Sequence, residues 1–400
     1  MDNVFDFRNR LINEYSSFSR SFSKVSAQDI LSKVELEYDR GRYWPEPLIQ
    51  INPNYKRQST VQQLAHEGML HASCSHIFQT GKTEGKAADL HLYVHQLQAL
   101  AKAQKQQSYV VTTGTGSGKS LAFFVPIIDR ILKAKQADPQ KRTRAIVIYP
   151  MNALANSQLE ELDKFLHGYP DDQKPFTVAR YTGQESDADR KQIADNPPDI
   201  LLTNFMMLEL ILTRFEDVDR RVVGHCQGLE FLVLDELHTY RGRQGADVAL
   251  LVRRLRERLQ AHQLVCIGTS ATMSSTGTQA DRNQTVASVA SLLFGAQITE
   301  HDVIGETLER VTNPAKDIEA VKSLLKPALL KESYHWPDFA AFSDDPLAVW
   351  VELSLGIELP LDEPPRRARP VTLGDAAKRL ADDAQCTVEE AHAGLQRFLV

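Results

Sequence analysis

Six short apolar runs alternate with longer amphipathic stretches between residues 90 and 294, and this alternation constrains the fold of the 400-residue sequence most. The runs are rich in β-branched residues and lack in/out alternation, which is typical of strands covered by helices on both faces. They lie at 109–113, 145–149, 177–181, 199–203, 230–234 and 264–270. Helical patterns fill 118–134, 153–166, 204–214, 244–260 and 283–294. Repeated strand–helix–strand units predict an α/β fold with a parallel sheet.

The segments on either side of this region differ from it in composition. Residues 1–88 are rich in aromatic residues and contain a proline-rich stretch, which predicts an N-terminal extension. Residues 89–312 form the predicted sheet domain, and residues 313–400 are predicted to be a mostly helical insertion or linker. The sequence ends inside an apolar helical pattern without a stop signal, so we expect the helical part to be truncated.

Composition excludes few functions. No apolar run approaches a membrane span, and the N-terminus lacks a signal peptide, so we expect a cytoplasmic protein without a membrane partner. The four cysteines are far apart, which argues against a disulfide framework, and a metal site among His66, His71, Cys74 and His76 is a weak alternative. The net charge of −6 argues mildly against a polyanion binder but does not decide, because phosphate contacts need only a local basic surface.

A glycine-rich segment between the first run and its helix resembles a phosphate-binding loop. Thr113 occupies the slot of the first glycine in the pattern G-x-x-x-x-G-K-[S/T], so the strict pattern fails by one residue. The loop chemistry survives, because backbone N–H groups and the following helix N-terminus still attract an anion. The residues predicted to bind the nucleotide here are Thr115, Gly116, Ser117, Gly118, Lys119 and Ser120. Lys119 would reach the β- and γ-phosphates and the Ser120 hydroxyl would bind Mg²⁺, whereas the alternative is a turn without a ligand.

A Gly-Lys-Thr sequence at 81–83 has no apolar strand before it and no apolar helix after it. We therefore expect a surface loop there.

An acidic pair follows the fifth run. Asp235 is predicted to bind the metal ion, and Glu236 to orient and deprotonate the attacking water. Both carboxylates stand at the carboxyl end of a predicted parallel strand, where ligands of such sheets bind. The alternative, in which the pair only caps the strand, gives no reason for two adjacent acids at this edge.

Together, residues 115–120, 235–238 and 270–272 resemble motifs I, II and III of superfamily 2 DEAD/DEAH-type helicases, in the order of that family. The resemblance implies a RecA-like ATP-binding domain that uses ATP and Mg²⁺, with Gln96 as the adenine-binding glutamine. It also implies that His238, Ser270 and Thr272 couple hydrolysis to strand binding. The longer segment 234–255 is similar to the large helicases of bacterial defence islands, such as the DISARM helicase, and to the mitomycin-repair and RecQ4-like branch.

The same resemblance implies contacts with nucleic acid, with DNA favoured over RNA. Three segments, 149–158, 181–184 and 203–214, resemble the motifs that hold the phosphate backbone of one strand. The residues carried over from them are Asn152, Thr182, Gly183, Thr203 and Asn204, although Asn152 and Thr203 are equally suited to capping a turn or helix. Arg241 and Arg243 lie in the loop beside the acidic pair and are further candidates.

The sequence predicts the ATPase lobe of a DNA helicase or translocase in phage defence or DNA repair. No second RecA-like block is recognisable after residue 312, so the partner lobe is expected from a longer chain or another subunit. A nucleotide-gated binding module without unwinding activity is the alternative. A kinase is disfavoured, because Glu236 beside the metal-binding aspartate suits activation of water.

Overall fold

The computed structural model describes residues 3–22, 25–40, 44, 46–114, 116–271, 278–360 and 364–400. Packing divides the chain into two compact units: Tyr55–Thr307, called the sheet unit here, and Met1–Asn54 together with Leu308–Val400, called the flanking unit. Residues 55–88 therefore pack within the sheet unit, although the sequence assigned them to an N-terminal extension. The three-part division into functional domains stays a prediction.

The sheet unit is built on seven parallel strands. They are β1 Tyr109–Thr112, β2 Ala145–Tyr149, β3 Val178–Tyr181, β4 Ile200–Asn204, β5 Phe231–Leu234, β6 Val265–Ser270 and β7 Val303–Gly305. Their order across the sheet is β7–β1–β6–β5–β2–β4–β3. All six predicted strands are present, and the fold class is confirmed. The seventh was not predicted, because three residues are too short for a periodic signal.

Ten α-helices of the described residues surround or precede this sheet. They are α1 Val61–His66, α2 Cys74–Ile77, α3 Val94–Gln104, α4 Leu121–Ala137, α5 Asn152–Phe165, α6 Asp187–Asp195, α7 Phe205–Thr213, α8 Asp217–Gly224, α9 Gly242–Arg258 and α10 Gln279–Phe294. The five predicted helices correspond to α4, α5, α7, α9 and α10. The polar helix α6 was missed because it has almost no apolar face; a capping box between Ser186 and Asp189 starts it instead.

The five inner strands of the sheet are largely buried on both faces, which explains their continuous apolar runs. Val111 and Val147 belong to one hydrophobic cluster, together with residues of α3, α4 and α5. Their chain neighbours Val110 and Ile146 belong to a second cluster, together with residues of α7 to α10. The result is a three-layer arrangement whose loops after the strands all meet at the carboxyl edge.

The Gly-Lys-Thr sequence at 81–83 lies in a short hairpin between Gln79–Thr80 and Ala88–Asp89. The Lys82 ammonium donates to the carbonyls of Phe165 (2.7 Å) and His76 (3.1 Å), so this lysine serves packing of the loop. The remaining short strands of the sheet unit, Arg57–Thr60 and His91–Tyr93, pair antiparallel.

The flanking unit is mostly helical. Its helices are Val4–Ser21, Gln28–Asp39, Ile318–Leu329, Phe339–Ser343, Pro346–Val351, Leu373–Ala384 and Val388–Phe398, with a π-helical turn at Glu352–Gly356. Two-residue strands pair Leu48–Ile49 with Val371–Thr372 and Ile357–Glu358 with Arg366–Arg367. Its core surrounds the fully buried Trp350, whose indole N–H donates to Asp383 at 2.9 Å.

Two absences hold for the described ranges only. None of their helices has the length and apolar character needed to span a bilayer. In these ranges, no group of three or more His, Cys, Asp or Glu side chains could hold a metal ion. In the cluster weighed as a metal site, Cys74 is part of the hydrophobic core and the His71 ring lies 2.7 Å from the Gln136 amide nitrogen.

Candidate nucleotide and nucleic-acid site

The glycine-rich loop lies between β1 and α4, at the carboxyl edge of the sheet. Its backbone reverses through left-handed conformations at Gly116 (φ 78°) and Gly118 (φ 67°), which glycine adopts without strain. The hydroxyls of Thr113 and Ser117 lie 2.6 Å apart, and the Lys119 ammonium donates to the Thr113 carbonyl at 3.3 Å. Thr113 therefore forms hydrogen bonds with Ser117, in the middle of the loop, and with Lys119. Thr115 lies outside the described residues.

The side chain of Gln96 holds this loop by hydrogen bonding. It is 2% exposed, its carbonyl oxygen accepts from the Tyr93 N–H at 2.9 Å, and its amide donates to the Gly118 carbonyl at 2.9 Å. A Cβ at position 118 would lie 2.7 Å from that amide nitrogen, so only glycine fits there. Adenine binding by Gln96 stays a prediction, and in this structure both of its polar groups already have protein partners.

The neighbouring His95 holds the loop in a similar way. Its Nε2 lies 2.9 Å from the Ser117 carbonyl, and because a carbonyl only accepts, this nitrogen carries the proton. Burial lowers the pKa of His95, which favours the neutral ring. This contact could not be predicted from the sequence, since His95 and Ser117 are 22 residues apart in the chain.

The acidic pair follows β5, and the loop lysine meets it. Lys119 Nζ lies 3.9 Å from Glu236 Oε1. The Asp235 N–H donates to the Ile148 carbonyl at 3.0 Å, which fixes the pair to the neighbouring strand β2. Glu236 has a left-handed backbone (φ 55°), an unusual conformation for a residue other than glycine. The structure thus brings Lys119, Asp235 and Glu236 together.

Thr269 connects the acidic pair to β6 and was missed by the sequence analysis. Its hydroxyl donates to the Asp235 carboxylate and accepts from the Glu236 N–H at 3.1 Å. The residue is fully buried. Its place directly before the Ser-Ala-Thr sequence was the available signal.

Asp235 and Glu236 are both partly buried. Burial raises the pKa of Asp235, the hydrogen bond from Thr269 opposes this, and the Glu236 charge adds to it. Burial and the Asp235 charge also raise the pKa of Tyr149 and of Tyr240. Within the described part of the chain, Glu236 Oε2 and both tyrosine hydroxyls are buried without a hydrogen-bond partner.

Asp235 and Ser120 offer a carboxylate and a hydroxyl, and the binding of Mg²⁺ by these two residues stays a prediction. Oxygen ligands of this kind are the ones that Mg²⁺ prefers, and it keeps several waters of its own.

His238 links the acidic pair to the end of β6. Its Nδ1 lies 3.2 Å from Glu236 Oε2 and 3.5 Å from the Ser270 hydroxyl. The two predicted coupling residues His238 and Ser270 are therefore adjacent. Thr272, the third, lies outside the described residues.

The residues predicted to touch nucleic acid gather where β2, β3 and β4 end. The Asn204 amide donates to Asn152 Oδ1 at 2.7 Å and to the Thr182 carbonyl at 3.1 Å, so it joins the three segments. Asn204 also caps α7 by accepting from the Met207 N–H. Thr203 is fully buried and its hydroxyl donates to the Tyr181 carbonyl at 2.6 Å, which argues against a direct contact between this hydroxyl and nucleic acid.

Arg241 and Arg243 lie at the start of α9 and are exposed, whereas Gly183 is exposed in the loop after β3. The sequence analysis missed two charged neighbours of that loop, Arg180 and Glu185, whose side chains pair at 2.6 Å. Glu185 stands only two residues after Gly183, which was the available signal.

Residues 93–280 match the model of the DEAD/DEAH box helicase family. The ATP-dependent helicase YprA of Bacillus subtilis is 34% identical over 186 residues, which cover 46% of this chain and 23% of YprA. The Druantia protein DruE of Escherichia coli is 26% identical over 291 residues, with coverage of 46% and 16%. The chain thus spans less than a quarter of the length of these relatives.

Two solved structures resemble the fold. The DUF1998 helicase MrfA bound to DNA gives a TM-score of 0.49 at 23% identity, covering 74% of this chain and 37% of that one. The DEAD-box helicase Mss116 bound to single-stranded RNA gives a TM-score of 0.49 at 17% identity, with coverage of 68% and 52%.

The family match covers the glycine-rich loop, the acidic pair and the end of β6, and the resemblance seen in the sequence is confirmed. Residues 93–280 of this chain are thus similar to a DEAD/DEAH box helicase domain.

Proposed function

We propose that the sheet unit is the ATP-binding and ATP-hydrolysing lobe of a DNA helicase or translocase. The observation that carries the proposal is the 3.9 Å separation between the Lys119 ammonium and the Glu236 carboxylate. A phosphate-binding lysine and a carboxylate able to activate water face the same small volume at the carboxyl edge of the sheet. This pairing suits hydrolysis of a phosphoanhydride.

In this proposal each residue has a distinct task. Lys119 and the loop N–H groups bind the phosphates, and Ser120 and Asp235 hold Mg²⁺, which supplies positive charge against the phosphate oxygens. Glu236 orients the attacking water and accepts its proton. The buried Thr269 keeps Asp235 and Glu236 in register, while His238 and Ser270 connect the carboxylate to β6.

The proposal extends to a nucleic-acid strand along the ends of β2, β3 and β4. Asn152, Thr182, Gly183 and Asn204 offer amide, hydroxyl and backbone N–H groups, which position a phosphate backbone without reading bases. The choice of DNA over RNA, and of phage defence or repair as the pathway, rests on the resemblance of segment 234–255 alone.

We propose further that the lobe works with a second RecA-like domain supplied from outside residues 1–400. Beyond residue 307, the described residues form helices and two-residue strands, and none belongs to a second parallel sheet. Turnover by this chain alone is then expected to be slow.

The test is nucleotide binding and steady-state hydrolysis by the 400-residue chain, with and without single-stranded DNA. We expect Mg²⁺-dependent binding of ATP that Lys119→Ala abolishes, with slow turnover. Lys82→Ala, in the Gly-Lys-Thr sequence at 81–83, is the matched control and should keep wild-type affinity. Failure of the wild-type chain to bind ATP would remove the proposal.

The same measurements separate the alternative of a gated binding module. A change in nucleotide affinity on addition of single-stranded DNA supports the motor lobe. Strong DNA-stimulated turnover that Lys119→Ala abolishes would overturn the proposal of an incomplete lobe.

A further inference from the structure

The loop after β3 surrounds a carboxylate from its own chain. Glu185 Oε2 accepts from the backbone N–H groups of Thr182 (2.7 Å) and Gly183 (2.9 Å). Glu185 Oε1 accepts from the Thr182 hydroxyl (3.0 Å) and from Arg180 Nε (2.6 Å). Its side chain is only 5% exposed, so these contacts replace water almost completely.

This donor set is an anion site. Successive backbone N–H groups with a hydroxyl and a guanidinium form the kind of concavity that binds phosphate oxygens. Burial alone would raise the pKa of Glu185, but the hydrogen bonds from Thr182 and Arg180 lower it below its ordinary value. Glu185 is therefore ionised at neutral pH, and the site holds a negative charge.

The site belongs to the corner proposed for nucleic acid. The Thr182 carbonyl accepts from Asn204, which also bonds Asn152. Gly183, in a left-handed conformation (φ 89°), exposes the backbone of the loop. The donors held by Glu185 are thus among those that a strand would use.

The end of β3, which leads into this anion site, is held by hydrogen bonds that do not involve Glu185. The hydroxyl of Tyr181 donates to the fully buried Asp219, and Arg190 bonds both the Tyr181 oxygen and Asp219 at 3.0 Å. Thr203 also binds the Tyr181 carbonyl. The end of β3 therefore keeps its place when the carboxylate leaves, and the site remains formed.

We propose that Glu185 is an internal substitute for a nucleic-acid phosphate and that a bound strand displaces it. The inference rests on the proposed function, since it concerns the same strand-binding corner. Glu185 lowers the affinity for a strand, because a phosphate must compete with a tethered carboxylate for the two N–H groups, the hydroxyl and Arg180. Its release upon binding then marks the occupied state of the loop.

Glu185→Gln tests this, because it removes the charge and keeps the size of the side chain. The probe is a fluorescein-labelled dT20 oligonucleotide, titrated by anisotropy at several salt concentrations. We expect at least about threefold tighter binding, because a neutral amide competes less well than a carboxylate for these donors. The slope of log K against log salt should become steeper by about 0.7 if one more phosphate is engaged.

The matched control is Glu161→Gln on α5. Glu161 is exposed and pairs only with Lys164 one turn away, so this variant removes the same charge without touching the loop. Its affinity for dT20 should equal that of the wild type. In the Glu185→Gln background, Arg180→Gln should cancel the gain.

Hydrogen exchange of the wild-type chain gives a readout that needs no variant. Saturating dT20 should speed exchange in the segment 184–186, as the carboxylate leaves, and slow it at 150–156.

Unchanged or weaker binding by Glu185→Gln overturns the inference, as does an equal gain in Glu161→Gln or slower exchange at 184–186. If neither wild type nor Glu185→Gln binds dT20, the inference also fails. Mg²⁺-ATP titrations of the same samples report on the proposed ATPase lobe separately.

Discussion

Lys119 and Glu236 lie 3.9 Å apart although their strands, β1 and β5, are not neighbours. Strand β6 runs between them, and its parallel register places Gly268 opposite both Leu234 and Val110. The site is therefore assembled across three strands, and Thr269 of the middle strand contacts both members of the acidic pair.

Replacing the carboxylate of Glu236 should separate binding from hydrolysis. Glu236→Gln keeps the size of the side chain but cannot accept a proton from water. We expect ATP turnover to fall by about 10²- to 10⁴-fold, the usual contribution of a general base, with ATP affinity within a fewfold of wild type. Steady-state phosphate release and nucleotide titration measure the two effects. Equal loss of affinity and turnover would assign Glu236 to binding instead.

We expect the Asp235 carboxylate to lower the free energy of unfolding at neutral pH. Burial raises its pKa above the unfolded value. As pH rises between those two values, the unfolded chain has lost the proton that the folded chain keeps, so the unfolded state binds fewer protons and stability falls. Asp235→Asn should remove this slope and raise the free energy of unfolding near pH 7 by about 0.5–1 kcal/mol, while abolishing Mg²⁺-dependent hydrolysis.

Urea unfolding of Asp235→Asn at a series of pH values checks this. Asp247→Asn, on the exposed side of α9, is the control and should change stability by less than about 0.5 kcal/mol. A lower free energy of unfolding in Asp235→Asn at pH 7 would contradict the expectation.

We expect stability and Mg²⁺-ATP affinity to depend on the hydroxyl of Thr269 more than on the volume of its side chain. Thr269→Val conserves volume but leaves the Glu236 N–H without its acceptor and Asp235 without its donor. An unsatisfied buried polar group costs about 1–3 kcal/mol, so stability should fall by that amount. The pKa of Asp235 should rise further, so the affinity for Mg²⁺-ATP weakens and its pH midpoint moves upward.

Thr269→Ser retains the hydroxyl and serves as the control for that experiment. Calorimetry of Mg²⁺-ATP binding between pH 5 and 8 provides the measurement. Matching pH midpoints in the valine and serine variants would show that the hydroxyl does not act on Asp235.

Gly268 leaves room for the chain after the acidic pair. A Cβ there would lie 2.3 Å from Leu237 Cδ1 and 3.1 Å from Phe294 Cζ. Gly268→Ala should therefore destabilise the fold by about 1–3 kcal/mol, as overpacking of a core does. Gly224→Ala, with nothing within 4 Å, is the control and should be neutral or slightly stabilising. Thermal unfolding of both variants tests the expectation, and equal midpoints would contradict it.

Local patterns sufficed to predict the layers of the fold. The inner strands β1, β2, β4, β5 and β6 are mostly apolar because both of their faces are covered, and this signal lies within each segment. Neither β7, which is three residues long, nor α6, which is almost wholly polar, was predicted. The helices α1, α2, α3 and α8 were not predicted either.

The contacts that complete the site depend on tertiary structure. Gln96 and Gly118 meet across 22 residues, and Thr269 reaches Asp235 only because β5 and β6 pair in one register. The position of Glu185 two residues after Gly183 indicates that it lies near the loop, but its contacts with Arg180, Thr182 and Gly183 are seen only in the structure. Contacts between side chains that are far apart in the chain cannot be predicted from the local pattern of a single sequence.

The flanking unit is discontinuous, and this has a consequence during synthesis. Ile49 shares a core with Trp350 and Leu380, yet the ribosome makes these partners about 300 residues later. The first segment must therefore wait, without its apolar partners, while the intervening sheet forms. An exposed early segment of this kind is a natural client for a chaperone that binds nascent chains.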